Sequence, residues 1–126
     1  MSVKFNVVER GKLGDAAAPK KFYPSIQSTG RATKRDIAEM IAQISTISTA
    51  DTMAMLEAFL IVVPQELAKG NIVELGDFGS FWLRSSSEGA DQAADVRASQ
   101  ITDVLPRFNP GKEFKKALNA IEFEKA

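Results

Sequence analysis

The sequence predicts an α+β fold with two N-terminal helices, a three-stranded antiparallel β-sheet with a short arm, a C-terminal helix and an N-terminal β extension. Apolar residues recur at helical spacing over residues 33–69 and again over 112–121. Alternating apolar residues and glycine turns fill residues 72–84 and 103–108, which favours strands. We therefore expect an extension over residues 1–30 and one domain over residues 31–126.

The N-terminal extension contains two short segments with the alternation of strands. Val3, Phe5 and Val7 alternate with polar residues, and a second segment follows over residues 22–26. Pro24 has no backbone N–H to give to a neighbouring strand, so the second segment is expected at a sheet edge.

The first helix is expected to begin after Thr33, which is a suitable N-cap. Ile37, Ile41 and Ile44 then follow at i, i+4 and i+7, which places them on one face of about three turns.

The second helix has its start signal at Ser48, with Asp51 three residues later as in a capping box, and runs to Lys69, with Gly70 as the stop. Its middle, residues 58–63, is apolar on nearly every side, and a chain of this length has too little other structure to cover it. This predicts an obligate homodimer that buries residues such as Phe59. Pro64 either kinks the helix or ends it early, and the sequence does not separate these alternatives.

The next segment predicts an antiparallel hairpin, with a turn over residues 76–79. Alternation puts Phe81 and Leu83 on one face of the sheet, and Trp82 and Arg84 on the other. Trp82 is therefore expected to point away from the core, either to stack on nucleic acid or to be covered by the strands of residues 3–26.

Residues 85–95 are rich in serine, alanine and acidic residues, which predicts a solvated, mobile excursion. A third strand is expected over residues 103–108. A last helix then opens at Pro110-Gly111-Lys112, and its apolar residues are Phe114, Leu118 and Ile121.

Composition excludes several classes of function. The chain has no cysteine and no histidine, so disulfides, thiolate or imidazole metal sites, cysteine nucleophiles and histidine bases are excluded. We expect no enzyme, no cofactor and no metal site. No apolar run approaches the roughly 20 residues of a membrane span, and the N-terminus lacks the apolar core of a signal peptide, so we expect a soluble cytoplasmic protein.

Three segments together resemble the bacterial HU and integration-host-factor family of DNA-bending proteins. They are Lys69-Gly70-Asn71-Ile72-Val73-Glu74-Leu75, Gly76-Asp77-Phe78-Gly79-Ser80-Phe81 and Pro106-Arg107-Phe108-Asn109-Pro110-Gly111-Lys112. The resemblance covers roughly Thr33 to Ile121, and the first 30 residues look like the extension of a divergent HU-related subgroup with a shortened acidic arm.

The resemblance implies an intertwined homodimer in which three aromatic residues pack about the dimer axis beneath a saddle-shaped sheet. The matching positions here are Phe78, Phe81 and Phe108. Together with Phe59 of the second helix, these residues form the expected dimer core.

Family members grip DNA with two basic β-arms whose tips wedge a proline between base pairs. The corresponding residues here, from Ser85 to about Asp103, contain no proline. Their one basic residue, Arg97, stands against four acidic ones: Glu88, Asp91, Asp95 and Asp103. The wedge is therefore not expected in this chain.

The resemblance still implies a set of basic residues that face DNA. Arg84, Lys112 and Lys115 match basic family positions; Lys116 and Arg107 extend the group, and Arg97 is the arm's only cation. We expect a nucleoid protein that contacts double-stranded DNA through its phosphates largely independently of sequence, with no membrane or small-molecule substrate as partner. Two alternatives stay open: the lysines are simply a solvated helix face, or the chain is an HU-fold assembly protein that has lost DNA binding.

Overall fold

The computed structural model describes residues 2–11, 14 and 16–126, and it has the expected α+β composition. In chain order the elements are β1 (Ser2–Arg10), β2 (Lys21–Ile26), α1 (Lys34–Ile44), α2 (Thr49–Ala68), β3 (Val73–Glu74), β4 (Gly79–Ser87), β5 (Ile101–Pro110), α3 (Lys112–Leu118) and β6 (Glu122–Lys125). Contacts group the chain into a terminal unit, residues 1–33 with 118–126, and a central unit, residues 34–117. The assignment of residues 31–126 to one domain stays a prediction.

The terminal unit is a three-stranded sheet in the order β2-β1-β6. β1 pairs with β2 in antiparallel fashion and with β6 in parallel, and β2 lies at an edge, as Pro24 predicts. The prediction that the last helix continues to Ile121 is wrong at the C-terminal end of the helix. α3 stops at Leu118, and the next residues turn to pair with β1, whose second edge offers backbone partners that a continued helix would leave unused.

One face of this terminal sheet is apolar. Residues directly opposite each other lie on the same face, and this face carries the pairs Val7–Pro24, Phe5–Ile26 and Val3–Phe123. Ile26 and Phe123 are 69% and 60% exposed, so most of this face is open in the isolated chain.

The central unit begins with two helices, and the ends of α2 follow its capping residues. The Ser48 side chain accepts a hydrogen bond from the backbone N–H of Asp51 at 3.1 Å, as predicted. Gly70 has φ of 86°, which glycine adopts without strain as the chain leaves α2. Pro64 lies inside α2, so the helix continues through it rather than ending early. Ala38, Thr52 and Leu67 are the only buried side chains among the described residues.

The second sheet has the order β3-β4-β5, all antiparallel. Its register confirms the predicted faces. Phe81 opposes Phe108 and Leu83 opposes Pro106 on what we term the inner face. The outer face carries Trp82 opposite Arg107, and Arg84 opposite Leu105.

Two glycines allow the turn before β4 and the start of α3 to approach each other. The N–H of Gly111 donates to the carbonyl of Phe78 at 2.9 Å, and a Cβ at Gly111 would overlap the carbonyl group of Asp77. Gly79 has φ of 143°, and a Cβ there would lie 2.5 Å from the carbonyl oxygen of Asn109. The turn motif and the motif before α3 are therefore one packed unit.

The chain leaves far more surface in water than its mass predicts. Its accessible surface is 10516 Å². A compact chain of its mass would expose about 6,600 Å², and two separate globules with the masses of the two units about 7,900 Å². Much of the excess is apolar, because large hydrophobic side chains in all three helices and both sheets are exposed. None of the described helices is long and apolar enough to cross a membrane.

Candidate nucleic-acid interface

An aromatic cluster joins the inner face of the central sheet to α3. The ring of Phe108 lies 4.9 Å from Phe81 and 5.5 Å from Phe78, centroid to centroid. Phe114 of α3 completes the cluster with edge-on contacts at 5.0 Å to Phe78 and 5.4 Å to Phe108. Helical spacing predicts that Phe114 lies on the apolar face of α3, but no feature of the sequence predicts its contacts with the other three rings. Phe78 remains 49% exposed, so the cluster is only partly covered within one chain.

Phe59, the fourth residue of the expected dimer core, lies apart from this cluster. It makes no ring contact with the four phenylalanines among the described residues. Instead it belongs to an exposed apolar stretch of α2 that includes Leu60, Ile61 and Val62.

An apolar groove of about 540 Å³ runs between the last turns of α2 and the inner face of the sheet. Leu67 and Pro64 line it from the helix, and Leu83, Val104 and Pro106 line it from the strands. The groove continues the apolar surface that the chain leaves uncovered.

The outer face of the central sheet brings together three of the residues singled out in the sequence. Trp82 and Arg107 are direct cross-strand neighbours, and Arg84 lies diagonally from Arg107, within reach of a long side chain. Trp82 is 37% exposed and both arginines are exposed. The register also places Glu74 opposite Ser80 and Asp103 opposite Ser86 on this face, so its formal charges cancel.

The helix α3 carries a separate basic face. Lys112, Lys115 and Lys116 fall within an arc of about 100° on the helix, and Phe114 and Leu118 lie outside this arc. All three lysines are exposed, and none forms an ion pair with any residue that the structure describes. Two of them lie in the last turn, where the helix dipole stabilises a positive charge.

Arg97 lies at the arm tip, between short 3₁₀ turns at residues 93–95 and 98–100, and not on the outer face. The side chain of Gln100 donates to the carbonyls of Glu88 and Gly89 at 3.3 and 3.2 Å, and its oxygen accepts from the N–H of Arg97. Residues 85–87, which were expected in the mobile excursion, extend β4 instead, and the rest of the excursion is a solvated tip with a hydrogen-bonded turn structure.

Glu66, which the sequence analysis did not single out, stabilises the end of α2. Lys69 and Asn71 each donate a side-chain hydrogen bond to Glu66 at 2.9 Å. The hydrogen bond from Lys69, with that from Asn71 and the charge of Lys69, holds the pKa of the Glu66 carboxyl below its ordinary value. These two hydrogen bonds to Glu66, which we term the clasp, fix the segment that leads from α2 into β3. Elsewhere in the described chain, no three Asp or Glu side chains come together as a metal site would require.

Comparison with known proteins places almost the whole chain in one family pattern. Residues 1–125 match the family model HU-HIG, described as an HU domain fused to wHTH, Ig, or a glycine-rich motif. The DNA-binding protein HU of Thermus thermophilus is 33% identical over 89 residues, which cover 66% of this chain and 88% of that protein. Integration host factor subunit beta of Marinobacter nauticus is 30% identical over 90 residues, covering 69% of this chain and 92% of that protein.

The fold has a counterpart among solved structures. A crystal structure of a putative bacterial DNA-binding protein from Bacteroides vulgatus matches 98% of this chain, with a TM-score of 0.66 and 14% sequence identity. This chain corresponds to 47% of that protein's chain. The likeness covers both the terminal and the central unit, and at this identity it shows the fold alone.

Proposed function

Because the chain belongs to the HU-HIG family of HU/IHF-like proteins, we propose that it is a dimeric architectural DNA-binding protein that contacts duplex DNA largely through phosphates. The observation that carries the proposal is the set of exposed cations on the outer face and on α3 that form no ion pair with a described residue, in a chain related to proteins named as DNA-binding. We place the protein in the nucleoid and assign it no catalytic step.

Dimerisation is supported by the surface that one chain leaves exposed. Even when the two units are counted as separate globules, the excess is about 2,600 Å² per chain, which a partner of the same kind can remove. The apolar middle of α2, the groove beside it and the half-covered phenylalanine cluster are the surfaces we assign to the partner. Phe59, Phe78, Phe81 and Phe108 remain our proposed dimer core.

The proposed contacts to DNA come from two surfaces in each subunit. Arg84 and Arg107 provide the outer face, where Trp82 adds an aromatic ring beside the guanidinium groups. Lys112, Lys115 and Lys116 provide the basic face of α3. If Arg84, Lys112 and Lys115 of both subunits each contact one phosphate, about six contacts result, and the affinity falls about 10³-fold between 50 and 200 mM salt.

The arm contributes differently from the basic arms that the family resemblance implies. Its tip carries Arg97 among acidic residues and contains no proline, so we propose that Arg97 makes at most one phosphate contact and that no base step is wedged open. Binding then depends on the outer face and on α3.

The test is a salt series of duplex binding with wild-type protein and the double variant Lys112→Gln/Lys115→Gln. Loss of four phosphate contacts per dimer lowers the slope of log K against log salt by about 3.6. The matched control is Lys4→Gln/Lys125→Gln, which removes the same charge from the terminal unit. We expect the control to retain the wild-type slope.

Equal slopes for all three proteins would mean that α3 does not contact DNA. No saturable binding by the wild type at low salt would overturn the proposed function and leave the alternative of an HU-fold assembly protein.

A further inference from the structure

Two cations lie directly opposite each other at one end of the terminal sheet. The antiparallel register pairs Arg10, the last residue of β1, with Lys21, the first residue of β2. Like charges at directly opposed strand positions repel each other and destabilise the pairing. A third cation is close, because the Cγ of Lys20 lies 3.8 Å from the position of a Cβ at Gly11.

The two opposed cations border a cleft. Arg10 and Lys21 line a cavity of about 580 Å³, within the size range of small-ligand sites, together with Gly11, Pro19 and Tyr23. Tyr23 is two residues beyond Lys21 on the same strand, so it shares the face of the two cations. None of the described residues that line the cleft is acidic.

Some other basic residues of the chain lie beside carboxylates. On the same sheet, Lys4 lies opposite Glu124, and in the helices Lys34 pairs with Glu57 and Arg35 with Glu39. Arg10 and Lys21 form no ion pair with any described residue. A concave site with two cations that no described carboxylate pairs, and with a phenol beside them, is therefore suited to an anion.

We propose that the Arg10–Lys21 cleft binds a phosphate group. The planar guanidinium of Arg10 pairs with two phosphate oxygens at once, the ammonium of Lys21 adds a point charge, and the phenol of Tyr23 donates a neutral hydrogen bond. The bound anion removes the cross-strand repulsion. The phosphate belongs either to a nucleic-acid backbone or to a small phosphorylated molecule, and titration with a duplex separates these two sources.

The chain has a single tyrosine, so Tyr23 is its own reporter. Protein labelled with ¹⁵N-tyrosine gives one amide signal, which is followed during titration with inorganic phosphate against sodium chloride of equal ionic strength, and separately with a short duplex. The variants are Arg10→Gln/Lys21→Gln and Arg10→Lys. The control of equal charge is again Lys4→Gln/Lys125→Gln. Far-UV circular dichroism checks that each variant is folded.

We expect phosphate to shift the Tyr23 signal saturably in the wild type and the control. The double variant weakens binding by about tenfold or more, because charge-assisted hydrogen bonds are lost. Arg10→Lys, which keeps the charge, lies between them. No saturable shift, or an equal shift in all proteins, overturns the proposal.

The duplex titration identifies the source of the phosphate. A Tyr23 shift with the duplex that the double variant loses assigns the cleft to a nucleic-acid backbone, and a shift with phosphate but not with the duplex assigns it to a small phosphorylated ligand. The proposed function fails separately, when the duplex binds nowhere on the protein although phosphate still shifts Tyr23.

Discussion

The substitution Ile61→Ala tests whether the middle of α2 is a subunit interface. Ile61 is 59% exposed in the isolated chain and lies in the stretch that is apolar on nearly every side. In the proposed dimer this exposed part is buried against the partner. Replacing Ile61 by alanine then weakens the association of the subunits more than it disturbs the fold of one chain.

The magnitude follows from the exposed fraction. Isoleucine has three more carbon groups than alanine, which is about 2.4 kcal/mol for complete burial at about 0.8 kcal/mol per group. The 59% exposed fraction assigns about 1.4 kcal/mol of this to the partner contact. Two equivalent residues per dimer give about 2.8 kcal/mol, or about a 100-fold increase in the dissociation constant.

Sedimentation equilibrium over a range of protein concentrations measures this change. Ile101→Ala is the matched control, because Ile101 is 52% exposed but lies at the start of β5 beside the arm tip. We expect the control to dissociate like the wild type. A wild-type chain that sediments as a folded monomer at micromolar concentration refutes the reasoning, as does a dissociation constant that Ile61→Ala leaves unchanged.

Three further predictions concern the central unit. Gly111→Ala lowers the free energy of unfolding by about 1–3 kcal/mol or more, because the new Cβ overlaps the carbonyl group of Asp77. The control Gly89→Ala changes little, because the space around Gly89 is open. Equal shifts of Tm in the two variants would contradict this prediction. Glu66→Gln lowers Tm at neutral pH, and this difference disappears as the pH falls through the folded-state pKa of Glu66, because a lowered pKa stabilises the fold only above that range; a difference independent of pH argues against the clasp. The double variant Arg84→Gln/Arg107→Gln reduces the salt slope of duplex binding by about 3.6 if both side chains contact phosphates in each subunit, and an unchanged slope removes the outer face from the interface.

Local signals in the sequence predict most of the central unit. The Ser48 cap and Gly70 fix the ends of α2, because each satisfies the backbone in a way that depends on neighbouring residues alone. Period-two alternation likewise separates Trp82 and Arg84 from the inner face, because successive side chains of a strand point to opposite sides of the sheet.

Features that depend on distant partners could not be predicted in this way. Residues 122–125 become a strand because β1, more than a hundred residues earlier, offers a free edge, and no local pattern encodes that pairing. The Arg10–Lys21 pair has the same origin, since only the register of β1 and β2 brings the two charges together. Phe114 joins the aromatic cluster through the close approach that Gly79 and Gly111 permit.

Zero net charge does not argue against binding to DNA, because salt limits the range over which a charge acts. At physiological ionic strength the Debye length is about 8 Å, so acidic residues of the arm that lie farther than this from a phosphate are largely screened. The cations that touch phosphates release counterions whatever the total charge of the chain. What the acidic arm removes is long-range attraction, which sets the rate of encounter. The salt slope at equilibrium therefore reports the phosphate contacts that we propose for α3 and the outer face.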